Sequence, residues 1–235
     1  MFPLIVVAVG LASCSGELST LSPAGPVAGS VAMLWWVMAS GAALLFALVM
    51  GLFLLTMFRP GFGRSLSPRA WIVGGGLVLP LPVLVPLLAY SFEQGERLLL
   101  LGGPKGDTVR IEARASMWQW EFFYLDEPDQ PSTIASLDIP AGAVVEVTTT
   151  SEDVIHSFWV PRLGGKIDAI PGHRARVRLL ADAPGTYSGL CAEYCGVGHM
   201  RMSFSVRAHE PDEYKRAIET ARAASVHAGN LASQP

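Results

Sequence analysis

The chain has 235 residues, 51% of them hydrophobic and only 16% charged, with a formal net charge of −3, where an ordinary soluble domain carries roughly a quarter charged residues. The deficit is local: residues 1–92 hold four charged side chains, Glu17, Arg59, Arg64 and Arg69, while the other 143 carry 19 acids against 14 bases. An apolar third joined to an acidic two-thirds excludes a disordered chain and an ordinary cytosolic enzyme, and with no basic stripe to neutralise phosphates it speaks against nucleic-acid binding.

Residues 1–14, MFPLIVVAVGLASC, form an apolar stretch too short to span a bilayer. With Leu11-Ala12-Ser13 before Cys14 it resembles a bacterial lipoprotein signal, in which cleavage leaves Cys14 as a lipid-bearing N-terminus, although it carries no Lys or Arg. Residues 15–30 then read as an outer-face segment. Residues 31–58 are uncharged and as a helix would cover about 42 Å, enough to cross a core of about 30 Å with tilt. Trp35 and Trp36 suit the interfacial belt at its start. Residues 70–92 are a second uncharged run, despite Gly74, Gly75, Gly76, Pro80, Pro82 and Pro86; such breakers are tolerated where neighbouring helices satisfy the backbone. The loop between them, residues 59–69, carries three arginines and no acid, so the positive-inside rule makes it cytoplasmic. Both termini and everything from residue 93 then lie on the outer side of a two-pass hairpin.

Beyond residue 107 the pattern changes to period 2. In residues 108–124, Trp118, Trp120, Phe122 and Tyr124 fall on one face of a single strand. SLDIPAG and VVEVTTT read as strand, turn, strand, and HSFWV, ARVRLLA, GTYSG and RMSFSVRAH as further strands bounded by Gly, Pro or Asp. Short strands at this spacing predict an all-β sandwich or Greek-key barrel over residues 93–209. Residues 210–235 predict a short C-terminal helix to about Ser225, opened by Pro211 with Asp212 and Glu213 at the positive dipole end, and then a frayed tail.

Apart from Cys14, the two cysteines sit together in CAEYCGVGHMRM, residues 191–202, a C-x-E-x-C-x3-H-x2-M pattern, with His156 upstream in VIHSFWVP. Soft thiolate and thioether sulfur with intermediate imidazole favours copper. A mononuclear blue-copper site needs one thiolate, and here a second is left over that can bridge two metals. A structural disulfide outside the cytoplasm and a Cys2His2 zinc site stay open, but neither explains Met202. His173 and His209 read as surface histidines and His227 as part of the tail.

These motifs, with the hairpin, the WQW segment and KIDAIPG in the same order, resemble subunit II of bacterial haem-copper cytochrome c oxidases over nearly the whole chain. The resemblance implies a cupredoxin-like Greek-key barrel holding the binuclear copper centre CuA, with His156, Cys191, Cys195, His199, Met202 and the backbone carbonyl of Glu193 as ligands. It implies that the Glu193 side chain binds Mg2+ at the boundary with subunit I. It also makes Trp118 the point where an electron from cytochrome c arrives, and His199 the ligand on the exit side toward haem in subunit I. Oxygen reduction and proton translocation belong to subunit I, and subunit III is a further expected neighbour. Asp126, Glu127 and Asp129, directly after the aromatic segment, are expected to steer a basic cytochrome c by charge. No C-x2-C-H follows the barrel, so no haem c is expected in this chain. Glu-free residues 18–92 and His173 within Pro171–Gly172–His173–Arg174 depart from the family pattern. The alternatives are a copper-free subunit II of a quinol oxidase, a membrane-anchored copper chaperone or thiol–disulfide protein, and a fragment of a nitrous-oxide reductase.

Overall fold

The computed structural model describes residues 15–63, 65, 67–99 and 108–232. The lipoprotein-like signal with Cys14, Arg64 of the loop and the start of the outer domain lie outside the described residues. Residues 33–99 make one compact unit, and residues 15–32 with 108–232 another.

Helix α1 (Pro26–Phe58) starts at Pro26 rather than Val31, because a proline's fixed φ suits a first turn. Val27, Ala28 and Ala32 are buried, whereas Leu44, Phe46, Phe53 and Phe58 further along face outward. That outward apolar surface suits lipid rather than water. The second uncharged run is not one regular helix. Ser67 caps α2 (Pro68–Val73) by accepting the Ala70 N–H, and a π-helical turn over Gly74–Val78 follows before α3 (Pro80–Leu99). The Leu79 N–H donates to the Gly74 carbonyl at 2.9 Å, a bond five residues long. Pro80, Pro82 and Pro86 lack the N–H groups that a regular ladder needs, and three glycines leave the backbone free to widen. Both helical stretches, Pro26–Phe58 and Pro68–Glu93, are long and apolar enough to cross a membrane, with mean hydropathy 2.4 and 2.2.

The outer unit is two five-stranded sheets. One has the order β3 (Ser132–Ile134), β2 (Gln119–Tyr124), β1 (Val109–Ser116), β5 (Val145–Ser151), β8 (Ala175–Leu179). The other runs β4 (Ser136–Pro140), β10 (Ser203–His209), β9 (Gly185–Cys191), β6 (His156–Trp159), β7 (Ile167–Ala169). β1 lies parallel to β5 and β4 to β10, so each sheet closes through a crossover rather than a hairpin. Ala135, at φ 56°, is the corner where the chain changes sheet. Its N–H donates to Trp120 of one sheet and its carbonyl accepts from Ser205 of the other. The short β3 and β7 had no sequence signature.

Alternation buries Ile111, Ala113, Trp120, Phe122, Val145, Val147, Phe158, Phe204 and Val206 between the sheets. Phe158 and Phe204 stack at 4.9 Å, and the Asp138 N–H donates to the Tyr124 hydroxyl across the sheets at 2.9 Å. The C-terminal helix α4 (Pro211–Ala232) runs past Ser225 through residues expected to fray, and Ile218 and Ala221 seat it on the barrel. The segment after residue 15 is laid along the barrel: Arg162 Nε donates to the Ser22 carbonyl, the Ala24 N–H to the Arg162 carbonyl, and Ser188 Oγ to Glu17.

Candidate metal centre

The site is built from two paired strands and one tight loop. β6 and β9 pair antiparallel with Phe158 opposite Cys191. His156 is two residues from Phe158 and therefore projects to the same face as Cys191. The loop that follows β9 closes where the Cys191 N–H donates to the Met202 carbonyl at 2.9 Å. A short 3-10 turn, His199–Arg201, brings His199 and Met202 back over the cysteines. Gly196 takes φ +107°, a conformation that side-chain-bearing residues rarely adopt, and so lets the loop turn this sharply.

Six donors converge there. Cys191 Sγ lies 3.9 Å from Cys195 Sγ, 3.7 Å from His156 Nδ1 and 3.2 Å from the Glu193 carbonyl oxygen. Cys195 Sγ lies 3.6 Å from His199 Nδ1 and 3.7 Å from Met202 Sδ. Both cysteines are free, and His156, Cys191, Cys195 and Met202 are buried. The donor atoms of His156, Cys191 and Cys195 all fall within 4.8 Å of one another. Metal–thiolate bonds of about 2.3 Å reach both sulfurs from either side of a 3.9 Å separation. Each imidazole leans on a different sulfur, an arrangement that suits a terminal nitrogen on each of two bridged metals. Burial first, and then neighbouring Cys191, pushes the Cys195 thiol up to about 11, so the metal-free site holds a protonated thiol that would lose its proton to solvent as a metal binds.

Asp153, which the sequence reading passed over, lies behind His156. Its Oδ1 is 2.8 Å from His156 Nε2, and its Oδ2 accepts the Met117 N–H at 2.6 Å. Burial works to raise this carboxyl, but the bonds from His156, Met117 and Val154 outweigh it and hold it below the usual carboxylate range. An acid three residues before a candidate ligand histidine was the available signal.

Trp118 is not on a strand face with Trp120, as expected. β1 and β2 form a hairpin, and Met117 and Trp118 are its turn. A turn residue is released from strand alternation, so Trp120 is buried in the core while Trp118 lies half-exposed over the metal loop. Its Nε1–H donates to the Cys195 carbonyl at 3.0 Å, and its ring covers Gly196 and Gly198.

The acidic residues expected beside it are elsewhere. Asp126, Glu127 and Asp129 follow the opposite end of β2 from Trp118, about 20 Å away by strand rise. Asp126 is held by Arg110 and Glu127 by Arg222 at 2.9 Å. Beside Trp118 along the chain is the exposed Met117, and between the two glycines that its ring covers is the exposed Val197, with the Asp153 carboxylate on the Met117 N–H. The Glu193 carboxylate lies 3.8 Å from Lys166 Nζ, which also faces Asp168 at 3.4 Å. His209 is no ordinary surface histidine, since its Nε2 meets the buried Asp138 at 2.6 Å beside Arg207.

Comparison with known proteins follows the same lines. The family described as cytochrome c oxidase subunit II, periplasmic domain, matches residues 130–209. Cytochrome c oxidase subunit 2 of Alkalihalophilus pseudofirmus is 34% identical over 92% of this chain and 66% of its own length. The chain belongs to the subunit II family of haem-copper oxidases. Ubiquinol oxidase subunit 2 of Acetobacter aceti is 29% identical over 92% of this chain and 72% of its own length, so the family includes members named for either electron donor. The chain spans about two thirds of the length of these curated relatives. Among solved structures, the periplasmic domain of subunit II of cytochrome oxidase of Bradyrhizobium japonicum is 31% identical, covering 52% of this chain and 98% of that one, with a TM-score of 0.49. This subunit II has the expected all-β domain, here two five-stranded sheets, with two apolar helical stretches and a C-terminal helix.

Proposed function

We propose that this chain is the electron-accepting subunit of a cytochrome c oxidase, with His156, Cys191, Cys195, His199, Met202 and the Glu193 carbonyl as the ligands of a binuclear copper centre. The observation that carries the reading is the convergence of two thiolates, two imidazoles and a thioether, with one imidazole on each sulfur. The chemistry that a copper pair supplies when bound there is reversible one-electron transfer with the charge spread over two metals. The chain's own part is rigidity: ligands fixed on strand ends and on one closed loop change little in position when the charge changes. Trp118 faces the donor with its indole bonded to the metal loop, and the exposed apolar Met117 and Val197 beside it exclude water from the contact. His199 is the ligand on the exit side, toward haem in subunit I, where oxygen is reduced to water with proton translocation.

The helices Pro26–Phe58 and Pro68–Glu93 anchor the subunit as a two-pass hairpin beside subunits I and III, with the β domain on the periplasmic side of the bacterial inner membrane. Glu193 exchanges Lys166 for Mg2+ at the boundary with subunit I. Cys14 carries the lipid, and an intact mass showing an unmodified Met1 or a bare Cys14 ends that part of the reading.

A copper-free quinol oxidase subunit is the second reading, favoured by the identity shared with the Acetobacter aceti relative; the complete set of soft donors favours copper. Purified full-length chain, loaded with copper, is expected to be purple, to hold two coppers and to give an EPR signal of one electron shared by both. A colourless chain, or one with a single blue copper, overturns the proposal.

A further inference from the structure

Asp153 occupies the turn between β5 and β6 and serves neither as a donor of the candidate centre nor as part of the barrel core. Its two oxygens are divided between two tasks. Oδ1 accepts the Val154 N–H at 2.6 Å and meets His156 Nε2 at 2.8 Å, and Oδ2 accepts the N–H of Met117, the residue before Trp118, at 2.6 Å. The Asp153 N–H donates to Ser151 Oγ at 3.3 Å, which fixes the turn that presents the carboxylate. The same carboxylate therefore touches the far nitrogen of one candidate ligand and the peptide that carries the exposed tryptophan.

The chemistry requires an acid here. An imidazole bound to a metal through Nδ1 keeps its proton on Nε2, so Nε2 can only donate. The Met117 amide can also only donate. A carboxylate offers two acceptor oxygens to these two donors, whereas an asparagine offers one and sets an NH2 group against the other. His156 is wholly buried, which removes water as a substitute partner for its ring.

We propose that Asp153 is a positioning residue that locks the His156 ring and the Met117–Trp118 turn into one hydrogen-bonded unit, joining the geometry of the metal site to that of the electron-accepting tryptophan. This rests on reading His156 as a copper ligand. The negative charge behind the imidazole also favours the oxidised, more positive state of a metal on Nδ1, so Asp153 holds the reduction potential down.

The test uses the full-length chain, wild type and with Asp153→Asn, Asp153→Ala and Asp153→Glu, in metal-free and copper-loaded forms. Copper affinity is expected to fall about tenfold to a hundredfold in the Asn and Ala variants, as for loss of a partner behind a metal-bound histidine, and the reduction potential is expected to rise. In the metal-free chain the Met117 amide is expected to exchange about fivefold faster or more, the effect of losing one hydrogen bond. Asp153→Glu, with two acceptors on a longer arm, is expected to recover part of both effects and keeps the test open where the shorter variants fail to fold. An unchanged potential, or a Met117 amide protected as in wild type, overturns the proposal. Failure of the wild-type chain to take up a copper pair overturns the functional reading instead, while the exchange measurement still reports on the link between Asp153 and the turn.

Discussion

The indole N–H of Trp118 donates to the backbone carbonyl of Cys195 across 3.0 Å, joining the β1–β2 turn to the loop that carries four of the six candidate donor residues. An exposed aromatic ring is thereby one hydrogen bond from the peptide of a candidate ligand. Replacing Trp118 with leucine removes both the ring and the bond. Reduction by cytochrome c is expected to slow by about tenfold or more, equivalent to at least 1.4 kcal/mol of barrier, with two coppers still bound. Stopped-flow mixing with reduced cytochrome c measures this, and an unchanged rate removes Trp118 from the electron path.

The same indole explains why residue 198 is glycine. A methyl group there would run into the Trp118 ring, although Gly198 has φ −89°, which any residue can adopt. Gly198→Ala should therefore act through crowding alone, destabilising the chain by about 1–3 kcal/mol as overpacked sites do. Trp118→Ala in the same chain should relieve most of that loss, because the two residues share the contact. Thermal unfolding of the two single variants and the double variant tests the point; strictly additive losses would sink it.

Much of the fold was legible because its signals are periodic. Uncharged runs marked both apolar helices, and alternation marked β4, β5, β6, β8, β9 and β10. The candidate donors were legible from residue type and spacing, since five of the six lie within residues 191–202. What escaped depends on contacts that spacing does not encode. Trp118 has the parity of a strand residue with Trp120, yet the hairpin turn falls between Ser116 and Gln119, and no glycine or proline marks it. Asp153 looked like one acid among several until the register of β6 aimed His156 inward and left Nε2 facing it. The π-helical turn reflects how Gly74 to Pro80 share out missing donors, which a hydropathy run does not reveal.

Charge steering is the clearest case where position reverses an expectation. Asp126 and Glu127 are paired with Arg110 and Arg222 at the end of β2 remote from Trp118. Asp126→Asn and Glu127→Gln are therefore expected to leave the rate of cytochrome c association within about twofold of wild type, as exposed paired charges contribute little. Val197→Asp, in the apolar rim beside Trp118, should slow association and electron transfer together. Rates measured over a range of ionic strength distinguish the two faces. A large loss with Asp126→Asn would restore the acidic loop as the docking site.

Acid stability should depend on Glu112, largely buried on β1. Burial alone would raise its carboxyl, but the Thr150 hydroxyl at 2.9 Å and Arg174 at 3.0 Å, with Arg114 beside them, pull it below its ordinary value of 4.5. A carboxyl depressed in the folded state binds its proton more readily when unfolded. Its contribution to stability is therefore complete above pH 4.5 and is lost as the pH falls through the lower folded value. Glu112→Gln keeps the shape but loses the charge-assisted bonds, so at pH 7 it is expected to be less stable by about 2 kcal/mol. Below pH 4 the gap from wild type should narrow, because wild-type Glu112 is then becoming protonated too. Urea unfolding at pH 7, 5 and 3.5 follows the gap, and a difference that stays constant or widens toward acid would show that Glu112 is not the group being titrated.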